Sequence, residues 1–64
     1  MKITLKKDKN YTIHEIYEST WLRVEKNNKL IAQVMNIETA RQVIYRDIND
    51  NGGKCEYLHD EDFE

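Results

Sequence analysis

The sequence predicts a small α+β domain: an antiparallel sheet of four to five strands, in the order β-β-β-β-α-β, with one amphipathic helix on one face. Three observations carry this. Apolar residues alternate with polar ones near the start, two β-rich stretches flank the dipeptide Asn27-Asn28, and from Ile37 onward the apolar residues return at helical spacing.

In the first strand, residues 2 to 7, Ile3 and Leu5 alternate with Lys2, Thr4 and Lys6, which is the period of a half-buried strand; Asp8-Lys9-Asn10 then supplies a turn. The second, residues 11 to 18, is rich in β-branched and aromatic types (Tyr11, Thr12, Ile13, Ile16, Tyr17) and reads as a strand. Ile13, Ile16, Tyr17 and Thr20 would also line one stripe of a helix, so that alternative stays open. Thr20 to Met35 forms a hairpin, because Asn tolerates positive φ and suits the turn at Asn27-Asn28. A two-residue loop pairs Leu22 with Gln33 and mixes the faces. A three-residue loop at 27 to 29 pairs Leu22 with Val34, Val24 with Ala32 and Lys26 with Leu30, collecting the apolar side chains on one face, and is the register expected. Its other face then shows Trp21 across from Met35, Arg23 from Gln33 and Glu25 from Ile31.

Asn36 is placed as an N-cap, with Glu38 in the first turn where the helix dipole favours a carboxylate. Ile37, Ala40, Ile44 and Ile48, with Val43 beside them, mark a helix over 37 to 50, and Gly52 is its stop. A last short strand is expected over 54 to 58. The domain is drawn as residues 1 to 58, followed by a loose acidic tail, 59 to 64.

Composition excludes much. A chain of 64 residues has room for one small core, with a stability of roughly 3–10 kcal/mol. One cysteine, Cys55, staples nothing, and no apolar run approaches a signal-peptide core or a membrane span, so a cytoplasmic protein with no membrane partner is expected. Asp47, Asn49, Asn51 and Gly52 fit the first half of a calcium loop, but Leu58 stands where the bidentate Glu belongs. Cys55, His59 and His14 are three candidates where structural zinc wants four ligands. No metal or cofactor is expected, and with no phosphate-cradling loop, nucleophile motif or orienting triad, no enzyme activity.

Charge is uneven along a chain of net −2: +3 over residues 1 to 10, −1 over 11 to 53 and −4 over 54 to 64. Lys2, Lys6, Lys7 and Lys9 give a second reading, a small nucleic-acid-associated regulator, although edge lysines that deter sheet-to-sheet aggregation explain them as well. The expected contact residues are Trp21, Arg23, Ile31 and Met35, because aromatic residues, Met and Arg are what interface cores enrich. A face-to-face homodimer is the simplest use of that patch. Asp60, Asp62 and Phe63 form a secondary contact in which an aromatic sits within an acidic segment.

The run Trp21-Leu22-Arg23-Val24 through Leu30-Ile31-Ala32 to Ile37-Glu38-Thr39-Ala40 resembles a hairpin-then-helix pattern of small phage and prophage accessory proteins. That resemblance covers about residues 20 to 48 and implies, as a class expectation, a tiny inhibitor of a host defence protein, anti-CRISPR proteins among them. The modest net charge departs from the DNA-mimic type. The function expected is a small interaction module that binds and blocks a host protein.

Overall fold

In the computed structural model, which describes residues 2–15 and 20–64, the alternating segments pair into one antiparallel sheet. Its strands are β1 (Lys2–Thr4), β2 (Tyr11–Glu15), β3 (Leu22–Lys26) and β4 (Lys29–Val34), adjacent in chain order. One helix, α1 (Ile37–Asp50), packs over β3 and β4. The α+β class and the helix bounds match the periodicities. Residues 16 to 18 of the expected second strand lie outside the described residues.

Alternation puts Ile3, Ile13, Val24 and Ala32 in one row across all four strands, facing the helix. Leu5, Tyr11, Ile13, Val24, Val34, Ala40 and Ile44 form the core, each at most 8% exposed. The Asn36 side chain caps α1 by accepting the backbone N–H of Thr39 at 2.8 Å. At the other end Gly53 N–H reaches the Ile48 carbonyl at 3.0 Å and Gly52 N–H the Asn49 carbonyl at 3.3 Å, a Schellman closure. Gly52 holds φ +85° there, a conformation costly for any residue with a Cβ.

The hairpin register is a hybrid. Leu22 pairs with Val34, Arg23 with Gln33 and Val24 with Ala32 as expected, but a bulge follows and the tip pairs Glu25 with Leu30 and Lys26 with Lys29. The expected Lys26–Leu30 and Glu25–Ile31 pairs are therefore corrected. Asn27 (φ 53°) and Asn28 (φ 66°) make a two-residue turn with both central residues left-handed, whose twist suits a hairpin. The bulge absorbs the extra residue, Ile31, so that the tight turn and the apolar row are both satisfied. Because Gly reaches this region without a Cβ penalty, Asn28→Gly is expected to raise stability by about 0.5 kcal/mol, read as a rise of ~2–4 °C in Tm.

The C-terminal expectations change most. Residues 54 to 58 are irregular rather than a strand, and β1 ends at Thr4. Residues 59 to 64 are no loose tail. They form a short 3-10 turn, η1 (Asp60–Asp62), and return to the outer edge of β1. There Thr4 and Glu64 exchange both backbone bonds, at 2.8 and 2.9 Å, and Lys6 N–H bonds the Asp62 carbonyl at 2.9 Å. Leu58 (3% exposed) and Phe63 (8%) enter the core. The helix covers β3 and β4, and the C-terminal segment, residues 54 to 64, lies toward β1 on that face, leaving an apolar depression of about 380 Å³ between Ile3, Ile13, Leu22, Ile37 and Phe63. The segment is tied to the helix flank by an Arg41–Asp60 ion pair, a Tyr45–Tyr57 ring contact and hydrogen bonds between Asn49 and Cys55.

Candidate functional site

Among the described residues the sheet has one packed face and one open face on which no other element lies, although Thr12 there is only 8% exposed. On the open face, β2 and β3 contribute Thr12, His14, Arg23 and Glu25, linked in series. Thr12 Oγ1 lies 3.2 Å from His14 Nε2, His14 Nε2 3.6 Å from Glu25 Oε1, and Arg23 3.5 Å from Glu25 Oε2. The Glu25 side chain is only 13% exposed. The row is a network of partners satisfying one another.

Around it lie four of the five exposed large apolar residues among the described ones, the fifth, Tyr57, standing on the C-terminal segment. Trp21 is 44% exposed and Met35 63%, flanking the last ladder pair Leu22–Val34, while Leu30 (45%) and Ile31 (38%) sit at the hairpin end. The four expected contact residues therefore share one surface, on β3, β4 and the residues just beyond them. Leu30 was missed, because the three-residue loop turns it inward. The bulge places it across from Glu25 instead. The signal that could have found it is the Asn27-Asn28 dipeptide itself, which favours the two-residue turn.

The secondary set does not stand together at the surface, since the Asp60 side chain is 84% exposed and Phe63 is not. Phe63 is a core residue, which corrects its reading as an exposed anchor. Asp60 is engaged by Arg41, and Asp62 accepts the backbone N–H of His59 at 2.7 Å. Both carboxylates hold the segment in place.

One lysine of the N-terminal group, Lys9 in the turn after β1, meets a docked acid. Lys9 pairs with Glu64 at 3.4 Å, and the backbone bonds of Thr4 and Lys6 hold residues 62 to 64 alongside. The opposite charges of the two ends are thus neighbours, and the positive field a phosphate backbone needs is offset locally.

The candidate metal ligands are dispersed. His14 is on the open face, whereas His59 packs edge-on to Tyr57 with ring centroids 5.5 Å apart and Cys55 Sγ donates to the Glu56 carbonyl. Asp47 accepts from Tyr11 and Lys26, and Asn49 and Asn51 side chains donate to backbone carbonyls of their own helix. Among the described residues no three His, Cys, Asp or Glu side chains gather where they could hold an ion. A shallow depression of about 680 Å³ lies between Lys7, Asn49, Lys54 and Tyr57, open to solvent. No described helix is long and apolar enough to cross a membrane.

The Tyr11, Lys26 and Asp47 side chains form a second polar cluster, on the packed side. The Tyr11 hydroxyl donates to Asp47, Lys26 Nζ lies 3.3 Å from the same carboxylate, and that ammonium sits 5.1 Å from the Tyr11 ring centroid. The hydroxyl's hydrogen bond, with Lys26 beside it, holds the Asp47 carboxyl below its usual value. Burial, then the carboxylate, pushes the Tyr11 phenol up. The cluster joins the helix to the hairpin tip and is structural.

Comparison with protein-family models, curated proteins and solved structures finds no match to this chain.

Proposed function

We propose that the protein is a non-enzymatic interaction module that binds a larger protein and blocks it by occupying its surface, in the manner of small phage-encoded inhibitors of host defence. The observation that supports this reading is the gathering of Trp21, Leu30, Ile31 and Met35 on the open face around Arg23. Single exposed apolar residues are ordinary on any surface, whereas a group of four with an arginine has the composition of an interface core. The docked acidic segment, lying against the lysine strand, favours this reading over a nucleic-acid regulator.

The test is capture from a nuclease-treated bacterial lysate by the wild type, Trp21→Glu and Met35→Glu, each first shown to be folded by circular dichroism. The expected result is one protein retained in stoichiometric amount by the wild type and reduced at least tenfold by either variant, the loss of a hot-spot side chain being worth upwards of ~1.4 kcal/mol. Equal capture by all three, or no captured protein, overturns the reading. Binding of a labelled oligonucleotide that weakens steeply between low and moderate salt would replace it with the regulator.

A further inference from the structure

We propose that β4 is the seam of a two-fold homodimer, in which the β4 strands of two copies pair antiparallel about Gln33 and join two four-stranded sheets into one of eight strands. It deepens the reading of the open face as an interaction surface, because Ile31 and Met35 serve in both.

The argument starts at the sheet edges. The outer edge of β1 is closed by the chain's own residues 62 to 64. The outer edge of β4 is not, since among the described residues no backbone bond reaches it from outside. An uncovered edge presents a row of unpaired backbone groups and is normally blunted by charge, proline, a bulge or brevity. β4 has no proline and a single charge, Lys29, at its tip; its bulge at Ile31 lies toward that tip and leaves Ala32 to Val34 as the regular stretch of the edge.

Which groups face outward follows from alternation. Asn27 N–H bonds the Asn10 carbonyl at 2.9 Å, so the odd-numbered residues of β3 bond toward β2 and the even-numbered ones toward β4. Val24–Ala32 and Leu22–Val34 are then the hydrogen-bonded pairs, and Gln33, between them, turns its N–H and C=O to the outer edge. Two such strands related by a two-fold at Gln33 exchange both bonds between the two Gln33 residues.

The same register is complementary in its side chains. It sets Ala32 across from Val34 on the packed face to either side of the two Gln33 residues, and beyond them brings the bulge residue Ile31 of each copy beside Met35 of the other, just past the end of its β4, on the open face. The two Lys29 residues fall roughly 26 Å apart along the strands, well beyond the ~8–10 Å screening length, and oppose no like charge. The helices fit as well. A helix lying over both β3 and β4 comes to about 10 Å from its two-fold mate at a strand spacing of ~4.8 Å, which is ordinary helix packing.

The test is sedimentation equilibrium of the full chain from 5 to 200 µM, on the wild type, Gln33→Pro and Trp21→Glu. Proline removes the outward N–H at the centre of the seam, together with the Gln33 amide, and takes no hydrogen bond from the β3–β4 ladder. The expected result is twice the 7.7 kDa chain mass for the wild type and Trp21→Glu, and the monomer mass for Gln33→Pro. Amide exchange at Gln33, followed by NMR, is expected to slow at least tenfold between the two ends of the concentration range, which decides the matter even should the proline variant not fold. A wild type monomeric throughout, a folded Gln33→Pro that still dimerises, or a Trp21→Glu that is monomeric overturns the edge seam. Trp21→Glu separates the two readings, because it must keep the dimer mass and lose the captured partner. A monomer that still captures its partner through Trp21 sinks the seam alone.

Discussion

Phe63→Ala is expected to lower the Tm by well over 10 °C and to leave a large part of the protein unfolded at room temperature. Truncating a buried phenylalanine costs about 3–5 kcal/mol, and a domain of this size has roughly 3–10 kcal/mol in total. The side chain is 8% exposed in one core with Leu5, and the two residues form an isolated antiparallel bridge. Thermal and urea unfolding followed by circular dichroism provide the measurement. An acidic tail that only solubilised the chain would change the midpoint by no more than a surface substitution does, about 0.5 kcal/mol. A shift that small would refute the docking of residues 59 to 64 and reopen the lysine strand to solvent.

Asp47→Ala is expected to destabilise by about 1–3 kcal/mol at pH 7, because it leaves the hydroxyl of a buried tyrosine without its acceptor. It is also expected to reshape the dependence of stability on pH. The folded Asp47 carboxyl titrates below its ordinary value of 3.8, chiefly through the Tyr11 hydrogen bond, so its stabilisation is complete above that value and is lost as pH falls through the lower, folded one. Tyr11 titrates above its ordinary 10.0, mainly because burial disfavours the phenolate, so the folded state holds that proton longer. Stability therefore declines as pH rises above 10. Lys26 is raised as well, foremost by its hydrogen bond with Tyr11, and its share is lost on the same alkaline side, as pH climbs through its folded value. The wild type should show a broad plateau falling at both ends. Asp47→Ala should lose part of the acid fall, and Tyr11→Phe part of the alkaline one. Chemical unfolding at a series of pH values reads both, and acid limbs of equal steepness in wild type and Asp47→Ala would remove the cluster's role.

The open-face patch and the β4 edge share Ile31 and Met35, but their experiments differ. Partner capture reads side chains standing off the sheet, whereas sedimentation of Gln33→Pro reads a backbone row in its plane. An inhibitor that dimerised through β4 would present two copies of Trp21 and Arg23 on one continuous sheet. Such a sheet gains avidity for a partner that is itself repeated or symmetric.

Much of this protein was determined by its sequence alone, wherever a local rule acts on neighbouring residues. The helical spacing of Ile37, Ala40, Ile44 and Ile48, the Asn36 cap and the Gly52 stop are interactions within a few residues, and the helix runs over 37 to 50 accordingly. Alternation placed Ile3, Ile13 and Val24 in one buried row, and the same parity put Trp21, Arg23 and Met35 on the other side. Tertiary structure decided what depends on competition between distant segments. The bulge that exposed Leu30 reconciles a turn preferring two residues with an apolar row needing three, and neither preference alone reveals the compromise. The acidic terminus was harder to read, because its charge suggests solvent while Leu58 and Phe63 require a core. Only the space beside a helix too narrow to cover four strands, and the unpaired edge of β1, show where that segment must go. Burying those two side chains and pairing the β1 edge offset the ordering of the last residues, so opposite ends of the chain meet and the remaining open edge is β4.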